Sequence, residues 1–542
     1  MRYQPPEGFA GVFREDADAA AVYSEAAGVQ QIMPRAVAVP VDGEDVATLV
    51  KWASAGSIPL IPRGSGSSMA GGAIGDGVIV DLSGLDAIGD VDRGRRVIRC
   101  GAGAIRNDVD AKAREYGLQF PVDPSSGAFC TVGGMASTNA AGSHTLKYGS
   151  MRPWVEALDC VFADGSTAEL RRGVAPPDIP ALRAFQSLVP ALREFEHRRA
   201  ASIPAVRKNS SGYALTAFLE SGDLVDLIVG SEGTLVLIVG LELRLAAALP
   251  NTASLLGAFE SLDAAVIAAS LARDAGASAC EAIDRTFLDV ARQGGASVPV
   301  PAGAETILLV EVEGASADEC AAQARAIEAR FRGAGATSVT LALDPETEHS
   351  MWELRHAASP VLNRLDPNLK SMQLVEDGCV PPAKLGEYVS GVRAALDRQQ
   401  LRGVIFGHAG DAHMHVNALV DVRHVDWREK TEALLAEVTR LTGHLGGTLS
   451  GEHGDGRLRT PLLSATWQPD VLERFRLLKE SFDPVGILNP GVKVALPDAR
   501  ALDLVKYDPA LPSIGAAARS VLDRVERNRE YAHSRLEMLE RA

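Results

Sequence analysis

Histidine and carboxylate gather in two short stretches of this chain. The first is His408-Ala-Gly-Asp-Ala-His413-Met-His415, and the second is Glu452-His453. The sequence holds only 11 histidines, so four of them here are a concentration. Neutral imidazole and carboxylate together suit a borderline divalent ion, zinc first and manganese or iron next. The same groups can also move protons near neutral pH. A lone histidine is usually a packed or surface residue. Three in one segment, with Glu452-His453 set among glycines (Ser450-Gly-Glu-His-Gly-Asp-Gly456), favour metal or acid/base chemistry for His408, His415, Glu452 and His453. His413 stays open between such a role and simple packing.

The elements that must position these groups can be read locally. Val404-Ile405-Phe406 reads as a buried strand, Gly410-Asp411 as a turn, and His413-Met-His415-Val-Asn417 alternates like a second strand. Residues two apart on a strand share a face, so His413, His415 and Asn417 point one way. A hairpin turning at Gly410-Asp411 sets His408 opposite His413 and diagonal to His415.

Four loops rich in glycine and small residues precede this region. Pro62-Arg63-Gly64-Ser65-Gly66-Ser67-Ser68 runs on to Gly71 and Gly72 between two short strands, Ile58–Pro62 and Gly77–Leu82. It contains Gly-x-Gly, yet Met69 stands where a third glycine belongs and a strand follows instead of a helix. The dinucleotide fingerprint of a Rossmann fold is therefore rejected. Glycines still let backbone N–H groups approach an anion, and serines add donors. The other loops are Pro121–Gly142, Arg207–Tyr213 and Gly230–Thr234. Such loops between strands suit a large ligand lying across several segments, as a diphosphate-linked flavin would.

The 542 residues are too many for one core. A net charge of −16 argues against nucleic acid and against anionic membrane surfaces. No apolar run is long enough to span a bilayer, and the first residues carry no signal pattern. The six cysteines are scattered, with no Cys-x-x-Cys, which points to free thiols in a reducing cytoplasm. Residues 171–205 read as an insertion, with a helix over Ala181–Ala201 carrying Arg183, Arg193, Arg198 and Arg199 and interrupted at Pro190. Beyond about residue 250, helices over 263–275 and 318–331 alternate with strands such as 306–312. This predicts an antiparallel sheet with helices on one face. Residues 515–541 read as one amphipathic helix with Leu522, Val525, Ala532, Leu536 and Leu539 on its apolar stripe.

These landmarks, in this order, resemble the FAD-linked oxidases of the vanillyl-alcohol-oxidase fold. Within them the chain is most similar to the FAD-dependent D-2-hydroxyacid dehydrogenases: the D-lactate and D-2-hydroxyglutarate dehydrogenases and the flavin subunit of glycolate oxidase. The resemblance covers residues 34–497. It implies an α+β fold, with a two-part FAD-binding domain and an antiparallel-sheet substrate or cap domain. The expected organisation is an N-terminal extension (1–33), the FAD-binding domain (34–247), the substrate and metal domain (248–480), a C-terminal return to the flavin (481–498) and a tail (499–542).

By the same resemblance, Pro62 to Ser68 and Gly71 bind the FAD diphosphate. Pro124, Ser125, Gly127, Thr131, Gly133 and Gly134 line the flavin. Asn139, Gly142, Ser143, Glu232, Gly233 and Asn489 complete its bed. His408, His415 and Glu452 bind the metal and His453 is the base. Arg355, in Trp352-Glu-Leu-Arg355, pairs with the substrate carboxylate, with Ser359 one turn on and Asn417 and His413 as further substrate contacts. His413 stands where the family usually has asparagine, so it is a fourth ligand or a substrate contact. A lysine of the hydroxyglutarate branch is unmatched: Val375 stands there, before Glu376-Asp377, and Lys370 is its one candidate substitute. FAD is expected to be non-covalent, although His144 and Cys130 leave attachment possible.

The implied reaction is metal-assisted oxidation of a D-2-hydroxyacid, D-lactate first. The Gly-Glu-His-Gly-Asp-Gly motif and the insertion look most like dehydrogenases with a C-terminal iron–sulfur domain, a domain not expected here. Electrons then go to a separate acceptor: a quinone, a cytochrome or an electron-transfer protein. The expected location is the cytoplasm or the periphery of the inner membrane, with self-association through the tail helix. Two alternatives stay open: a metal-independent alcohol or alditol oxidase, and a non-catalytic flavin subunit.

Overall fold

Asp42 accepts hydrogen bonds from the amides of Glu44 and Asp45 and so starts the first long helix, Gly43–Gly56. Val46, Leu49, Val50 and Ala53 recur at helical spacing and are all buried. They pack against a four-stranded sheet of Val12–Arg14, Ala36–Val39, Val78–Asp81 and Leu60–Arg63, in that spatial order. The last three strands run parallel, and the glycine-serine loop leaves the end of Leu60–Arg63. A computed structural model of the chain describes residues 3–199, 204–293, 301, 303–356, 368–511 and 513–542.

A second, antiparallel sheet has five strands: Ile88–Asp92, Val97–Gly101, Leu237–Arg244, Val155–Val161 and Thr167–Arg171. Between these two sheets and the third lies the cofactor side of the molecule. The third sheet is the large one, eight-stranded and antiparallel throughout. Its centre pairs Ala279–Asp284 with Arg402–His408, and that strand with His413–Asp421.

Strand alternation divides this sheet into two faces. Ile405, Met414, Val416 and Ala418 pack under four helices, Leu262–Asp274, Ala317–Gly333, Leu385–Arg398 and Trp427–His444. The intervening residues Glu281, Glu311, His408, His413, His415 and Asn417 point the other way, towards the cofactor side. That second face also carries helices: Arg285–Gln293 and Pro345–His356 contribute Phe287, Leu288 and Leu354 to a separate apolar cluster. Helices therefore cover both faces. Val404, Ile283 and Leu419 leave the far half of the polar face apolar, and that half must be covered.

Three segments sit differently from the sequence reading. The N-terminal extension joins the body, because Val12–Arg14 pairs with Ala36–Val39 and the helix Ala17–Val22 buries Ala19, Ala20, Ala21 and Val22. The tail is two helices, Ala516–Asn528 and Arg535–Glu540, split where Arg529 takes a left-handed conformation (φ 57°). Their Val521, Val525, Leu536 and Met538 pack on Ala19, Val22 and Tyr23. Of the expected stripe, Leu522, Val525 and Leu536 are buried within the chain itself, Leu539 is half-buried and Ala532 is exposed. Finally, Pro469–Phe482 packs with Pro180–Arg199 in the core of the second sheet, so the chain has returned to the cofactor side before residue 481. The insertion helix buries Leu182, Phe185 and Leu192 and exposes Arg183 and Arg193, a solvated face. No described helix is long and apolar enough to cross a membrane.

Candidate active site

The histidine hairpin forms in the register that its alternation dictates. His408 pairs with His413, Phe406 with His415 and Val404 with Asn417. A short turn at Ala409–Asp411 closes it, with Ala412 left-handed (φ 55°). The Glu452 loop lies directly on this hairpin. A Cβ at Gly451 would stand 2.7 Å from the His413 ring, so only glycine lets the loop approach so closely.

Each histidine is oriented by a hydrogen bond that fixes its tautomer. The Nδ1 of His408 meets Glu281 Oε1 at 2.5 Å. The Nδ1 of His415 donates to the Glu376 carbonyl at 2.7 Å, which leaves a lone pair on Nε2. The Nε2 of His413 faces Asp377 Oδ1 at 2.8 Å, which leaves a lone pair on Nδ1. The free nitrogens then converge. His408 Nε2 and His415 Nε2 are 3.4 Å apart, and Glu452 Oε1 lies 3.4 and 3.6 Å from them. His413 Nδ1 is 3.9 Å from Glu452 Oε2 and is buried without a hydrogen-bond partner.

Two imidazole nitrogens and a carboxylate oxygen turned towards one point, with His413 Nδ1 buried and unpartnered beside them, suit a cation among them. The donor set of His408, His413, His415 and Glu452, all within 4.8 Å of one another, therefore fits a divalent ion with nitrogen and oxygen ligands.

Charges around the cluster are paired on its outer side. Lys208 donates to Glu452 Oε2 at 3.0 Å and to the Gly142 carbonyl at 3.2 Å. Burial would raise the Glu452 pKa, but Lys208, His408 and His413 hold it well below the usual carboxylate range. Burial pushes His413 down to about 4, so its imidazole is neutral. Asp377 organises the loop. It accepts from the Ser450 hydroxyl at 2.9 Å and from the amides of Glu452 and His453 at 3.1 and 2.9 Å. Arg459 pairs with Glu376. His453 Nδ1 meets Glu376 Oε2 at 2.8 Å, and its Nε2 faces Glu452 Oε1 at 3.5 Å. Burial opposes the charge on His453, yet Glu376 and Asp377 outweigh it and push its pKa up to about 10.

His408, His415, Asn417, Glu452 and His453 form one wall of a cavity of about 700 Å³. Of the residues expected to hold a flavin, all line this cavity except Gly71, Gly127, Asn139 and Asn489. Those four support the wall from behind. Asn489 donates to the carbonyls of Gly72 and Glu232 at 3.0 and 2.8 Å. Asn139 ends the helix Val132–Thr138 in a left-handed conformation and accepts from the Arg152 amide at 3.0 Å. Gly127 donates to the Pro124 carbonyl at 2.8 Å. The Gly71 carbonyl accepts from Arg457 at 3.2 Å.

His413 is fully buried behind the wall and touches no open space. Trp352 lines the cavity from the helix Pro345–His356. Arg355 belongs to the last turn of that helix; its side chain, like Ser359, lies outside the described residues. Fit to a flavin dinucleotide rests on the volume and on the loop: Ser68 Oγ is buried there without a partner, and a Cβ at Gly64 would stand 2.2 Å from Thr131 Oγ1.

Glu281, Glu376, Asp377, Lys208 and Arg459 were not singled out from sequence as parts of the site. Glu281 did leave a signal. It is a carboxylate on the cavity-facing side of the otherwise apolar run Ala279-Cys-Glu-Ala-Ile283.

Comparison with known proteins agrees with this geometry. Residues 34–171 match the FAD binding domain and residues 249–492 match the C-terminal domain of FAD linked oxidases. A D-lactate dehydrogenase of Archaeoglobus fulgidus is 30% identical over 468 residues, covering 85% of this chain and 92% of that protein. This chain belongs to the FAD-linked oxidase family. Glycolate oxidase subunit GlcD of Bacillus subtilis is a further relative in the family, 29% identical over 484 residues, with 88% of this chain and 93% of GlcD covered. Among solved structures, 4-ethylphenol oxidase from Gulosibacter chungangensis has a TM-score of 0.65 at 15% identity, covering 90% of this chain and 94% of that one. That likeness shows the fold, the vanillyl-alcohol-oxidase type. The match to the FAD binding domain supports FAD as the cofactor of this chain.

Proposed function

We propose that this FAD enzyme oxidises a D-2-hydroxyacid to the 2-oxoacid with the help of a divalent metal, zinc first, with D-lactate favoured over D-2-hydroxyglutarate and glycolate. One observation carries the reading. His408, His415 and Glu452 present unshared donor atoms to one point on the cavity wall, beside His453 and Asn417. The relatives named D-lactate dehydrogenase and glycolate oxidase support this substrate class. The unmatched lysine of the hydroxyglutarate branch, with Val375 in its place, weighs against D-2-hydroxyglutarate.

A 2-hydroxyacid must lose a proton from oxygen and a hydride from carbon 2. FAD, when bound, accepts the hydride. A divalent ion held by His408, His415, Glu452 and His413 would supply Lewis acidity towards the substrate hydroxyl. His453 takes the hydroxyl proton at Nε2, because Glu376 holds Nδ1 and fixes the ring. Arg355 pairs with the substrate carboxylate in bidentate fashion. Asn417 orients the substrate from the same wall. The six free, buried cysteines support action in a reducing cytoplasm, with electrons passing to a separate quinone, cytochrome or electron-transfer protein.

The test is anaerobic mixing of metal-replete, FAD-bound protein with a panel of D- and L-2-hydroxyacids, followed at the oxidised-flavin absorbance. Bleaching by a D-acid, fastest with D-lactate, is expected. No bleaching by any acid would overturn the substrate class. Equal bleaching rates before and after chelation would overturn the role of the metal.

A further inference from the structure

Residues 493–542 lie beyond both family matches, yet the tail reaches the cofactor cavity. The turn between the two tail helices lies over the glycine-serine loop. Arg535, 3% exposed, donates from Nη2 to the Ser65 carbonyl at 3.2 Å. Its Nη1 donates to the carbonyls of Glu530 and His533 at 3.2 and 2.9 Å and so holds the turn closed. The Tyr531 ring packs on Phe129 with centroids 5.3 Å apart. Ser65 lines the cavity within Pro62–Ser68, and Phe129 adjoins Cys130, which also lines it.

Arg529 opens this turn at φ 57°, a conformation that favours glycine or asparagine. Its exposed side chain lines the cavity, and Arg63 is the one other lysine or arginine on that wall among the described residues. Arg63 is already engaged: it donates to the carbonyls of Tyr23 and Ala73 at 3.3 Å and lies over the Tyr23 ring. No described hydrogen bond or ion pair engages the Arg529 side chain. The wall's own acids are each taken. His144 holds Asp123 and Glu311, Lys493 holds Glu232, Arg459 holds Glu376 and Lys208 holds Glu452. An exposed guanidinium with no protein partner at this end of the cavity is placed to take a ligand anion. The FAD diphosphate is that anion.

We infer that the tail turn is part of the cofactor site and that Arg529 is a cofactor-binding residue that pairs with the FAD diphosphate. This rests on FAD occupancy and is independent of the substrate. It is tested on purified holoenzyme and on apoprotein titrated with FAD and with riboflavin, read by flavin fluorescence. Arg529→Ala is expected to lower FAD content and to weaken FAD binding about tenfold, the size of one charge-assisted hydrogen bond. Its binding of riboflavin, which has no phosphate, is expected to stay unchanged, and Arg529→Lys is expected to recover part of the FAD loss. Arg529→Gly is expected to weaken FAD binding equally while its apoprotein melts no lower than wild type, because glycine suits the left-handed backbone. Unaltered FAD affinity in Arg529→Ala would overturn the inference. So would equal losses for FAD and riboflavin, which would mark a purely structural role.

Discussion

His453 must be neutral at Nε2 to accept a proton. Glu376 and Asp377 oppose that: they outweigh burial and push its pKa up to about 10. A base in this position needs a positive neighbour, and a divalent ion among His408, His415 and Glu452 would be one. The rate of flavin reduction is therefore expected to rise with pH through a single ionisation, with loaded metal moving that inflection downwards. An inflection that ignores metal would separate His453 from the metal cluster. His453→Gln is expected to abolish reduction by the acid while FAD stays bound, checked by absorbance in the same stopped-flow experiment. His413 poses a different question. Its orphaned Nδ1 and neutral ring fit a ligand, so His413→Asn is expected to lower metal affinity about tenfold or more, measured by metal analysis after dialysis against buffered metal. Unchanged metal content would reduce His413 to a prop for Asp377. The three hairpin histidines were legible because a period of two and one turn fix which side chains meet. Their partners were not: Glu281 reaches His408 across 127 residues, and Glu376 reaches His453 across 77. Such pairings are settled by strand order, which local pattern does not encode.

At the scale of elements, the short helix Thr145–Tyr148 shows how the cofactor side meets the large sheet. His144, just before it, touches Asp123 at 2.5 Å through Nδ1 and Glu311 at 2.6 Å through Nε2. Burial works against the imidazolium, but the two carboxylates outweigh it and hold the His144 pKa well above its usual value. A raised folded-state pKa stabilises the protein fully below the unfolded value of about 6.5. That contribution disappears as pH rises through the folded value. His144→Gln is expected to cost about 1–3 kcal/mol at about pH 6, because it leaves Glu311 buried without its cation. The cost should shrink in the alkaline range, as read from denaturant midpoints at several pH values. A loss independent of pH would mean that packing, and not charge, joins the two parts. Sequence periodicity found most elements near their observed bounds, such as the strand Thr306–Gly314 and the helix Ala317–Gly333. It missed the break at Arg529, since an arginine carries no local sign that the backbone will turn left-handed there.

Across the whole molecule, the His408, His413, His415 and Glu452 cluster and the C-terminal return are mechanically one unit. The hairpin belongs to the large sheet, while the Gly451–Asp455 segment continues into the return on the cofactor side. Lys493 ties that return down, 2.9 Å from Glu232 Oε1 and 3.0 Å from Asp455 Oδ2, fully buried with both carboxylates. A ligand that binds only the folded chain stabilises it by mass action, about 2.7 kcal/mol at a hundredfold excess over its dissociation constant. Added zinc or manganese is therefore expected to raise the melting temperature of the intact holoenzyme in one cooperative step, and a chelator to reverse the rise. His408→Ala and Glu452→Gln should lose this response. Lys493→Met should behave differently: it strands two buried carboxylates, at a cost of about 3–5 kcal/mol. Its melting temperature should fall with and without metal, while the metal-induced rise persists, because the donor set is intact. If metal raised the melting temperature of His408→Ala as much as that of wild type, the ion would be binding elsewhere, and the convergence of lone pairs on the cavity wall would need another explanation.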